Sequence, residues 1–263
     1  MKVAIIQITS KLDYKENLSK LEGLLQEASD KKAQAAFLPE CFYSMSNGSS
    51  ATPHLVSESN EHFKNIQALA TKYSIALIGG TAATELNGKV VNRAYNFDSN
   101  GVDLGHYDKV HLFSCDITKG DTRKKIDEGD IYTPGNSSMI VDLNGMKIGI
   151  GVCFDLRFSE MSLAYRNQGA QVLTFSSAFT VPTGKAHWHV LNRARAIESQ
   201  CYVIASAQWG RNNDRIQTYG HSLIVDPWGE VLVDLKEGES IGYCEIDSDK
   251  IDLVRSQVIM GRE

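Results

Sequence analysis

The stretch IGIGVCFDLRF, residues 148–158, decides how this chain folds. Its first five residues, apolar or glycine, are typical of a buried strand, and Ser159 directly after the stretch is suited to cap a helix. A strand that turns into a helix at Cys153 forms an elbow, which exposes a side chain at the sheet edge beside free backbone N–H groups. We expect this elbow to lower the pKa of the Cys153 thiol. A packed, inert thiol is the alternative, because free cysteine is among the most buried residue types.

Strands and helices alternate along the chain on both sides of this elbow. Apolar residues at three- and four-residue steps predict four helices, in residues 14–31, 59–73, 159–170 and 187–200. Short β-type runs predict strands around them, among them residues 2–8, 35–40, 75–82, 138–153, 171–177 and 202–209. In the last helix, Val190, Ala194 and Ile197 are expected to face inward. The order predicts an α/β fold of two halves, and because no proline- or serine-rich linker divides residues 1–263, we expect one domain.

Composition and charge exclude several classes of protein. The 263 residues are 42% hydrophobic and 22% charged, which predicts a globular chain with a buried core. A net charge of −5, from 27 basic and 32 acidic residues without a basic stripe, argues against nucleic acid as a partner. The four-residue apolar run after Lys2 is too short for a signal peptide or a membrane span, so no membrane is expected. 

The cysteines indicate the compartment. They are odd in number, scattered and never spaced as CxxC: Cys41, Cys115, Cys153, Cys201 and Cys244. This pattern predicts neither a disulfide framework nor a cysteine-type zinc site. A reducing cytoplasm is therefore the expected location.

Two other segments end with a charged residue close to an apolar strand. FLPECF places Glu40 directly after a strand and a proline, where a carboxylate without solvent is costly unless it is paired. GHYDKV places Lys109 inside an alternating pattern. Each has an ordinary interpretation, a solvated loop glutamate and an edge-strand lysine facing water. Together with Cys153 they form a set that supports catalysis more strongly than any one of them.

FLPECF, YDKVHLF and GIGVCFDLRFSE resemble, in order and spacing, the three signature segments of the nitrilase superfamily of carbon–nitrogen hydrolases. Further segments in family order, from KVAIIQ to GHSLIVDPWGEVL, extend the resemblance over nearly the whole chain. It implies a four-layer αββα sandwich of two mixed sheets and a Glu-Lys-Cys catalytic triad. Within the superfamily, residues 176–210 and 219–231 look most like the deaminated-glutathione amidases, close relatives of the ω-amidases.

Carried over by position, the resemblance makes Cys153 the nucleophile and Glu40 its general base. Lys109 and the N–H of Phe154 would stabilise the oxyanion that forms when a thiolate attacks an amide carbonyl, and Lys109 would also favour the thiolate. Ammonia would leave, and water activated by Glu40 would release the acid from a thioester. The resemblance implies no cofactor and no metal.

The second glutamate of the family, which positions the lysine and the substrate, matches Glu128 in KKIDEGDIYTPG. The segment around it, SCDITKGDTRKKIDEGD, departs from the usual sequence pattern of the family. Asp127 is therefore a rival for this position, and an ordinary acidic turn is a third interpretation.

Three further residues are expected to bind the substrate. Arg157 lies four residues after Cys153, and its guanidinium suits a substrate carboxylate; bonding to Asp155 or Glu160 is the alternative. The resemblance implies that Phe179 supplies an apolar face and Thr183 a hydroxyl, unless Thr183 is a plain loop residue. Phe154, through its N–H, is the fourth residue expected to contact the substrate. We expect a small carboxylate-bearing amide, with deaminated glutathione first and 2-oxoglutaramate or 2-oxosuccinamate as alternatives. The sequence does not decide whether an amine can replace water as the acceptor.

Other interpretations are weaker. His187 and His189 stand two residues apart, which predicts no metal site without a third ligand nearby. An α/β-hydrolase with a histidine base needs an aspartate before the histidine, whereas Asp226 follows His221. A non-catalytic binding protein is disfavoured because glutamate, lysine and cysteine are all present. In the resembling family, helices such as residues 187–200 pair two subunits, which implies a homodimer.

Overall fold

The computed structural model describes residues 1–58, 60–119 and 122–260. The strands in chain order are β1 (Lys2–Gln7), β2 (Ala35–Phe37), β3 (Ala76–Ile78), β4 (Thr81–Leu86), β5 (Lys89–Phe97), β6 (Asp103–Asp108), β7 (Ser114–Lys119), β8 (Thr122–Asp127), β9 (Ile140–Leu143), β10 (Met146–Val152), β11 (Val172–Ser176), β12 (Tyr202–Ala205), β13 (Trp209–Arg211), β14 (Gln217–Tyr219), β15 (Leu223–Val225), β16 (Val231–Asp234) and β17 (Ser240–Glu245). The helices are α1 (Tyr14–Asp30), α2 (Glu61–Tyr73), α3 (Ser159–Asn167), α4 (Val181–Ser199) and α5 (Ser248–Gln257), with 3-10 turns at Glu128–Asp130 and Cys153–Arg157. Ser59, the first residue of the predicted second helix, lies outside the described residues.

Two mixed sheets carry the fold. The first has the order β17-β1-β2-β3-β5-β4, with β6 paired to β5, and the second has the order β16-β15-β12-β11-β10-β9. In the first sheet, β1 runs parallel to β2, with Val3 opposite Ala35, and antiparallel to β17. In the second, β10, β11 and β12 are parallel to one another. The two smaller pairs, β7-β8 and β13-β14, are antiparallel hairpins.

The two faces of β1 show how the layers stack. Val3 and Ile5 belong to a buried cluster that includes residues of the second sheet, so this face lies between the sheets. Ala4 and Ile6 belong to another cluster, with buried residues of α1 and α2. Helices α3 and α4 cover the second sheet in the same way, and α4 packs on β12 and β15. The predicted four-layer αββα sandwich is thus confirmed. Within the described residues, no helix is long and apolar enough to cross a bilayer.

The glycines of the opening stretch allow aromatic side chains to pack against β10. A Cβ at Gly149 would lie 2.7 Å from the ring of Tyr165, and one at Gly151 would lie 2.8 Å from the ring of Phe175. The strand ends at Val152, and Cys153 adopts a left-handed backbone conformation with φ of 48°. Such a conformation is unusual for a residue with a side chain, and it makes the predicted sharp elbow.

The helix boundaries near the elbow differ from the prediction. Helix α4 begins at Val181 instead of residue 187, because Pro182 fits the first turn of a helix, where its missing N–H costs no hydrogen bond. Thr183 therefore lies on a helix and not in a loop. In α3, Ser159 is the first helical residue, and Phe158 before it occupies the N-cap position without a side-chain hydrogen bond.

The inward face predicted for α4 is also wrong. Val190 and Ile197 are 68% and 49% exposed, and Ala194 is only half-buried. The buried face is instead partly polar: it includes Asn192 and Arg195, whose Nε donates to the carbonyl of Leu156 at 2.7 Å. Hydrophobic periodicity locates a buried face only when apolar side chains fill that face. In α4, buried polar side chains take their place, and the donor groups of Asn192 and Arg195 bond to backbone carbonyls.

Candidate active site

Three candidate catalytic residues follow the ends of strands in different parts of the fold. Glu40 comes shortly after β2 and Lys109 directly after β6, both in the first sheet, whereas Cys153 follows β10 in the second. All three are buried, at 3%, 1% and 9% exposure. The fold thus brings residues that are far apart in sequence to one place between the sheets.

Lys109 is held between two carboxylates. Its Nζ lies 2.9 Å from Oε1 of Glu40 and 2.8 Å from Oε2 of Glu128. Glu128 is held in turn by the backbone N–H of Phe113, which donates to Oε2 at 2.8 Å. Burial alone would lower the pKa of Lys109, but the two carboxylates outweigh burial and hold that pKa well above its ordinary value. The lysine therefore stays an ammonium.

Asp127, the rival to Glu128, points elsewhere. Its Oδ1 accepts a hydrogen bond from the N–H of Gly129 at 3.0 Å, and Oδ2 accepts one from the hydroxyl of Ser114 at 3.4 Å. It therefore caps the short turn that carries Glu128. The residue beside Lys109 is Glu128.

Glu40 is fixed by contacts along its whole length. Asn92 Nδ2 donates to its Oε1 at 2.9 Å, and Gln208 Nε2 donates to its backbone carbonyl at 2.9 Å. Burial raises the pKa of Glu40, and although Lys109 opposes this, the net pKa lies above the ordinary value. The carboxyl also hydrogen-bonds to the Cys153 thiol. A carboxylate with a raised pKa in contact with a thiol is suited to accept its proton.

The predicted lowering of the Cys153 pKa is wrong. Burial and the negative charge of Glu40 raise the pKa of the thiol well above its ordinary value, and the Lys109 ammonium and a hydrogen bond from the backbone N–H of Ala178 offset this only in part. When ionised, Glu40 and Glu128 outnumber the one ammonium, so the surroundings carry a net negative charge. The resting thiol is consequently protonated, and its proton must be removed during attack.

Asp155 connects the elbow to the segment that carries Lys109. Its buried carboxylate accepts hydrogen bonds from the backbone N–H of Val152 at 2.8 Å and from the hydroxyl of Tyr107 at 2.8 Å. It also lies 2.7 Å from Nδ1 of His111. Tyr107 and His111 stand two residues before and after Lys109. One carboxylate thus fixes the position of the thiol relative to the ammonium.

A pocket of about 970 Å³, measured with its open mouth, lies over these groups. Its lining includes the candidate residues Glu40, Glu128, Cys153, Phe154, Arg157, Phe179 and Thr183. The four predicted substrate-binding residues therefore share one cavity with the thiol. Met45, Gly48 and Ile216 extend the lining toward two loops.

Arg157 lies in another part of the wall of this pocket. Its side chain is positively charged, whereas Glu40 and Glu128 are acidic. Its guanidinium lies 5.6 Å from the centre of the Phe154 ring and 5.5 Å from that of Phe179. Nη2 is 3.2 Å from Nδ1 of His187, and no salt bridge joins Arg157 to a carboxylate among the side chains that the structure describes. The alternative bonding to Asp155 or Glu160 is thus not observed. A guanidinium without an anion is suited to receive one from a ligand.

Thr183 contributes less than predicted. Its hydroxyl shares a hydrogen bond with that of Thr180 at 2.9 Å and lies 3.2 Å from the Thr180 carbonyl. These contacts close the first turn of α4. The Thr183 hydroxyl is therefore already used within the protein.

Sequence reasoning missed three groups at the site. Asn92 holds Glu40, the N–H of Ala178 contacts the thiol, and Tyr132 lines the pocket beside Glu128. Burial raises the pKa of Tyr132 well above its ordinary value, so it remains a hydrogen-bond donor. Tyr132 lies in the YTPG segment, which resembles a family segment, but a backbone N–H such as that of Ala178 has no signal in the sequence.

Comparison with known proteins identifies the family. The family model for carbon–nitrogen hydrolases matches residues 2–256. The chain is 37% identical to a deaminated glutathione amidase of Dictyostelium discoideum, covering 98% of this chain and 91% of that protein. It is 32% identical to the omega-amidase NIT2 of Homo sapiens, covering 100% and 94%. The crystal structure of Nit3 from Saccharomyces cerevisiae superposes with a TM-score of 0.89 at 30% identity, covering 100% of this chain and 96% of that one.

A longer relative shares only part of its length with this chain. The nitrilase and fragile histidine triad fusion protein NitFhit of Caenorhabditis elegans is 38% identical over 96% of this chain, which spans 58% of that protein. The chain belongs to the carbon–nitrogen hydrolase family. It is an enzyme that acts on amides, as its relatives in the nitrilase superfamily do.

Proposed function

We propose that this amidase hydrolyses a small carboxylate-bearing amide to an acid and an amine or ammonia, through a thioester at Cys153, and that its substrate is deaminated glutathione, whose amide nitrogen leaves as cysteinylglycine. One observation carries the proposal: the buried cluster of Glu40, Lys109 and Cys153 opens into a pocket whose other wall presents Arg157. The cluster supports amide cleavage, and the guanidinium supports a carboxylate on the substrate.

In the first half of the reaction, Sγ of Cys153 attacks the amide carbonyl carbon while Glu40 accepts the thiol proton. The carbonyl oxygen becomes an oxyanion, which the Lys109 ammonium and the N–H of Phe154 stabilise. Glu40 then gives its proton to the amide nitrogen and the C–N bond breaks, so that cysteinylglycine leaves from deaminated glutathione, or ammonia from an unsubstituted amide such as 2-oxoglutaramate. An acyl group remains on Cys153 as a thioester.

In the second half, water takes the place of the amine that has left. Glu40 accepts a proton from the water as its oxygen attacks the thioester carbonyl. The C–S bond breaks, the acid leaves, and the proton returns from Glu40 to Cys153. Glu128 takes no proton in this cycle; it positions Lys109 from the side opposite Glu40.

The choice of deaminated glutathione over a shorter amide rests on the pocket. Its lining continues from the thiol past Arg157 to Ser46, Gly48 and Ile216, which leaves room for a peptide-like extension. The relative named as a deaminated glutathione amidase is also more similar in sequence than the human omega-amidase, at 37% against 32% identity. Hydrolysis of 2-oxoglutaramate or 2-oxosuccinamate is the second candidate, since Arg157 suits their carboxylates equally well.

Release of cysteinylglycine from deaminated glutathione and of ammonia from 2-oxoglutaramate tests the proposal. We expect turnover of both by the wild type, a higher kcat/KM for deaminated glutathione, and no turnover by a folded Cys153→Ser variant. A higher kcat/KM for 2-oxoglutaramate would refute the proposed substrate but would leave the proposed reaction mechanism standing. Absence of turnover together with absence of labelling of Cys153 by a thiol-reactive probe would favour a non-catalytic binding protein.

We further propose that the chain forms a homodimer through α3 and α4. Val190, Ile197 and Leu163 are exposed apolar residues on these two helices, at 68%, 49% and 37%. Exposed apolar side chains on adjacent helices are typical of an interface between subunits. Sedimentation velocity should show a dimer for the wild type and a monomer for Val190→Asp/Ile197→Asp; a monomeric wild type would refute this proposal.

Two general properties complete the proposal. Residues 1–263 act as a single domain, which the shared core between the two sheets supports. The five cysteines are unpaired, which supports a reducing compartment, and we propose the cytoplasm.

A further inference from the structure

Three side chains from separate segments converge beside helix α4. They are His189 on α4, His221 between β14 and β15, and Asp234 at the end of β16. Nε2 of His189 lies 3.2 Å from Oδ2 of Asp234, and Nδ1 of His221 lies 2.9 Å from Oδ1. All three potential ligand atoms lie within 4.8 Å of one another. None of these residues lines the amidase pocket.

These separations fit a small cation between the three groups. A tetrahedral zinc ion with bonds of about 2.0–2.1 Å places neighbouring ligand atoms roughly 3.3 Å apart. The two nitrogen–oxygen distances are already close to this value, so only the two rings need to adjust. Two imidazoles and one carboxylate are ligands that zinc and related transition-metal ions prefer, whereas calcium and magnesium prefer oxygen.

Two of the three groups, His221 and Asp234, are held in place by contacts outside the cluster. The ring of Tyr219 stacks on that of His221 at 4.5 Å, and Nε1 of Trp188 donates to the carbonyl of His221 at 2.6 Å. The backbone N–H of Lys236 donates to Oδ1 of Asp234 at 2.9 Å. These contacts orient the ring of His221 and the carboxylate of Asp234 before any ion binds.

One positive charge competes for the site. Nζ of Lys236 lies 2.5 Å from Oδ2 of Asp234, but its side chain is 70% exposed and anchored at no other described carboxylate. The side chain of His189 is itself 35% exposed, which leaves a path for an ion and for a water molecule as a fourth ligand. An entering ion would displace the lysine ammonium into solvent.

We propose that His189, His221 and Asp234 form a binding site for one divalent transition-metal ion, of which zinc is the representative. The ion joins α4 to β16 and to the segment after β14. The N–H of Tyr219, the last residue of β14, donates to the carbonyl of Phe179 in the pocket wall at 2.9 Å. The site therefore stabilises the fold next to the amidase pocket without entering it. Sequence spacing could not indicate it, because the ligands lie 32 and 13 residues apart along the chain.

Calorimetric titration with zinc chloride tests the site. The protein is tag-free and carries Cys153→Ser, so that the pocket thiol does not bind zinc. We expect one zinc ion per chain, a Kd raised more than about 10-fold by His189→Gln, and an unchanged Kd in His106→Gln, which removes an exposed histidine of the first sheet. Lys236→Gln should lower the Kd, because it removes the competing ammonium.

Thermal melting supplies a second readout and controls for folding. A zinc concentration about 100 times the Kd of the parent protein should raise the Tm of the parent by roughly 5 °C, and the rise in His189→Gln should be at most about half as large. Equal metal-free Tm values of the two proteins would show that both are folded. Zinc binding of the same affinity in His189→Gln, or no saturable binding to the parent protein at millimolar zinc, would overturn the proposal.

Discussion

The two walls of the pocket differ in how their charges are satisfied. On the inner wall, the Lys109 ammonium lies within 2.9 Å of both Glu40 and Glu128, so the charges are paired within the protein. On the outer wall, Arg157 lies over two aromatic rings without a carboxylate partner among the described side chains. The charges of the inner wall are thus paired within the protein, whereas the charge of the outer wall has no anionic partner among the described side chains. From this difference we propose that the inner wall carries out the reaction and that the outer wall selects the substrate.

The largest effect is expected from Glu40→Gln on the inner wall. The amide keeps the size of the side chain and can still accept from Asn92, but it cannot take a proton from Cys153. We expect kcat to fall by about 10³- to 10⁴-fold, as for loss of a general base. Steady-state release of cysteinylglycine from deaminated glutathione measures it, and circular dichroism confirms the fold. A loss below tenfold would place the base elsewhere.

Glu128→Gln should have the next largest effect. The substitution removes one of the two negative charges that hold Lys109, so the ammonium is no longer correctly placed to stabilise the oxyanion. We therefore expect kcat to fall by about 10²-fold while KM changes little. Asp127→Asn is the matched control: this side chain contacts Gly129 and Ser114 instead of Lys109, and its kcat should stay within about twofold. Equal losses in both variants would mean that the turn, and not the charge, matters.

On the outer wall, Arg157→Gln should affect recognition. Loss of a charged hydrogen bond to a substrate carboxylate should lower kcat/KM by about 10- to 100-fold, mainly through KM. The substrate whose carboxylate is converted to a neutral methyl ester serves as the control, and its kcat/KM should hardly change between wild type and variant. If both substrates lose the same factor, Arg157 does not select a carboxylate, and the contrast between the walls fails.

The smallest expected effect is a shift in pH dependence. Because Glu40 must be ionised to act as a base and its pKa is raised, kcat/KM should fall as the pH drops through a value above 4.5, the ordinary pKa of a glutamate. Asn92→Ala removes a donor to the ionised form, so the acidic limb should move to still higher pH. A pH–rate profile of both proteins measures this. A limb that moves to lower pH in the variant would contradict the role of Asn92.

Much of the fold and the inner wall could be predicted from the sequence. The apolar strands and the amphipathic helices follow from periodicity, and the resemblance to a known family placed Glu40, Lys109 and Cys153 correctly in one cluster. Hydrophobic periodicity gave the wrong buried face for α4, because the face that is buried is partly polar. Asn192 and Arg195 on that face donate hydrogen bonds to backbone carbonyls, while Val190 and Ile197 stay exposed. 

The electrostatics of the site could not be predicted in the same way. An elbow and a nearby lysine suggest a lowered thiol pKa, but the sign depends on burial and on how many carboxylates surround the thiol. The contacts of Asp155 could not be predicted either. Asp155 is close to Cys153 in the sequence, but Tyr107 and His111, which it contacts, are brought to it only by the fold.

Intact-protein mass spectrometry of the enzyme quenched during turnover tests the central claim most directly. The account predicts that the wild type gains the mass of the acyl group of deaminated glutathione, that peptide mapping places it on Cys153, and that alkaline hydroxylamine removes it as expected for a thioester. The Cys153→Ala variant should gain no mass. Rapid release of cysteinylglycine by the Cys153→Ala variant, or an acyl group on another residue of the wild type, would contradict it.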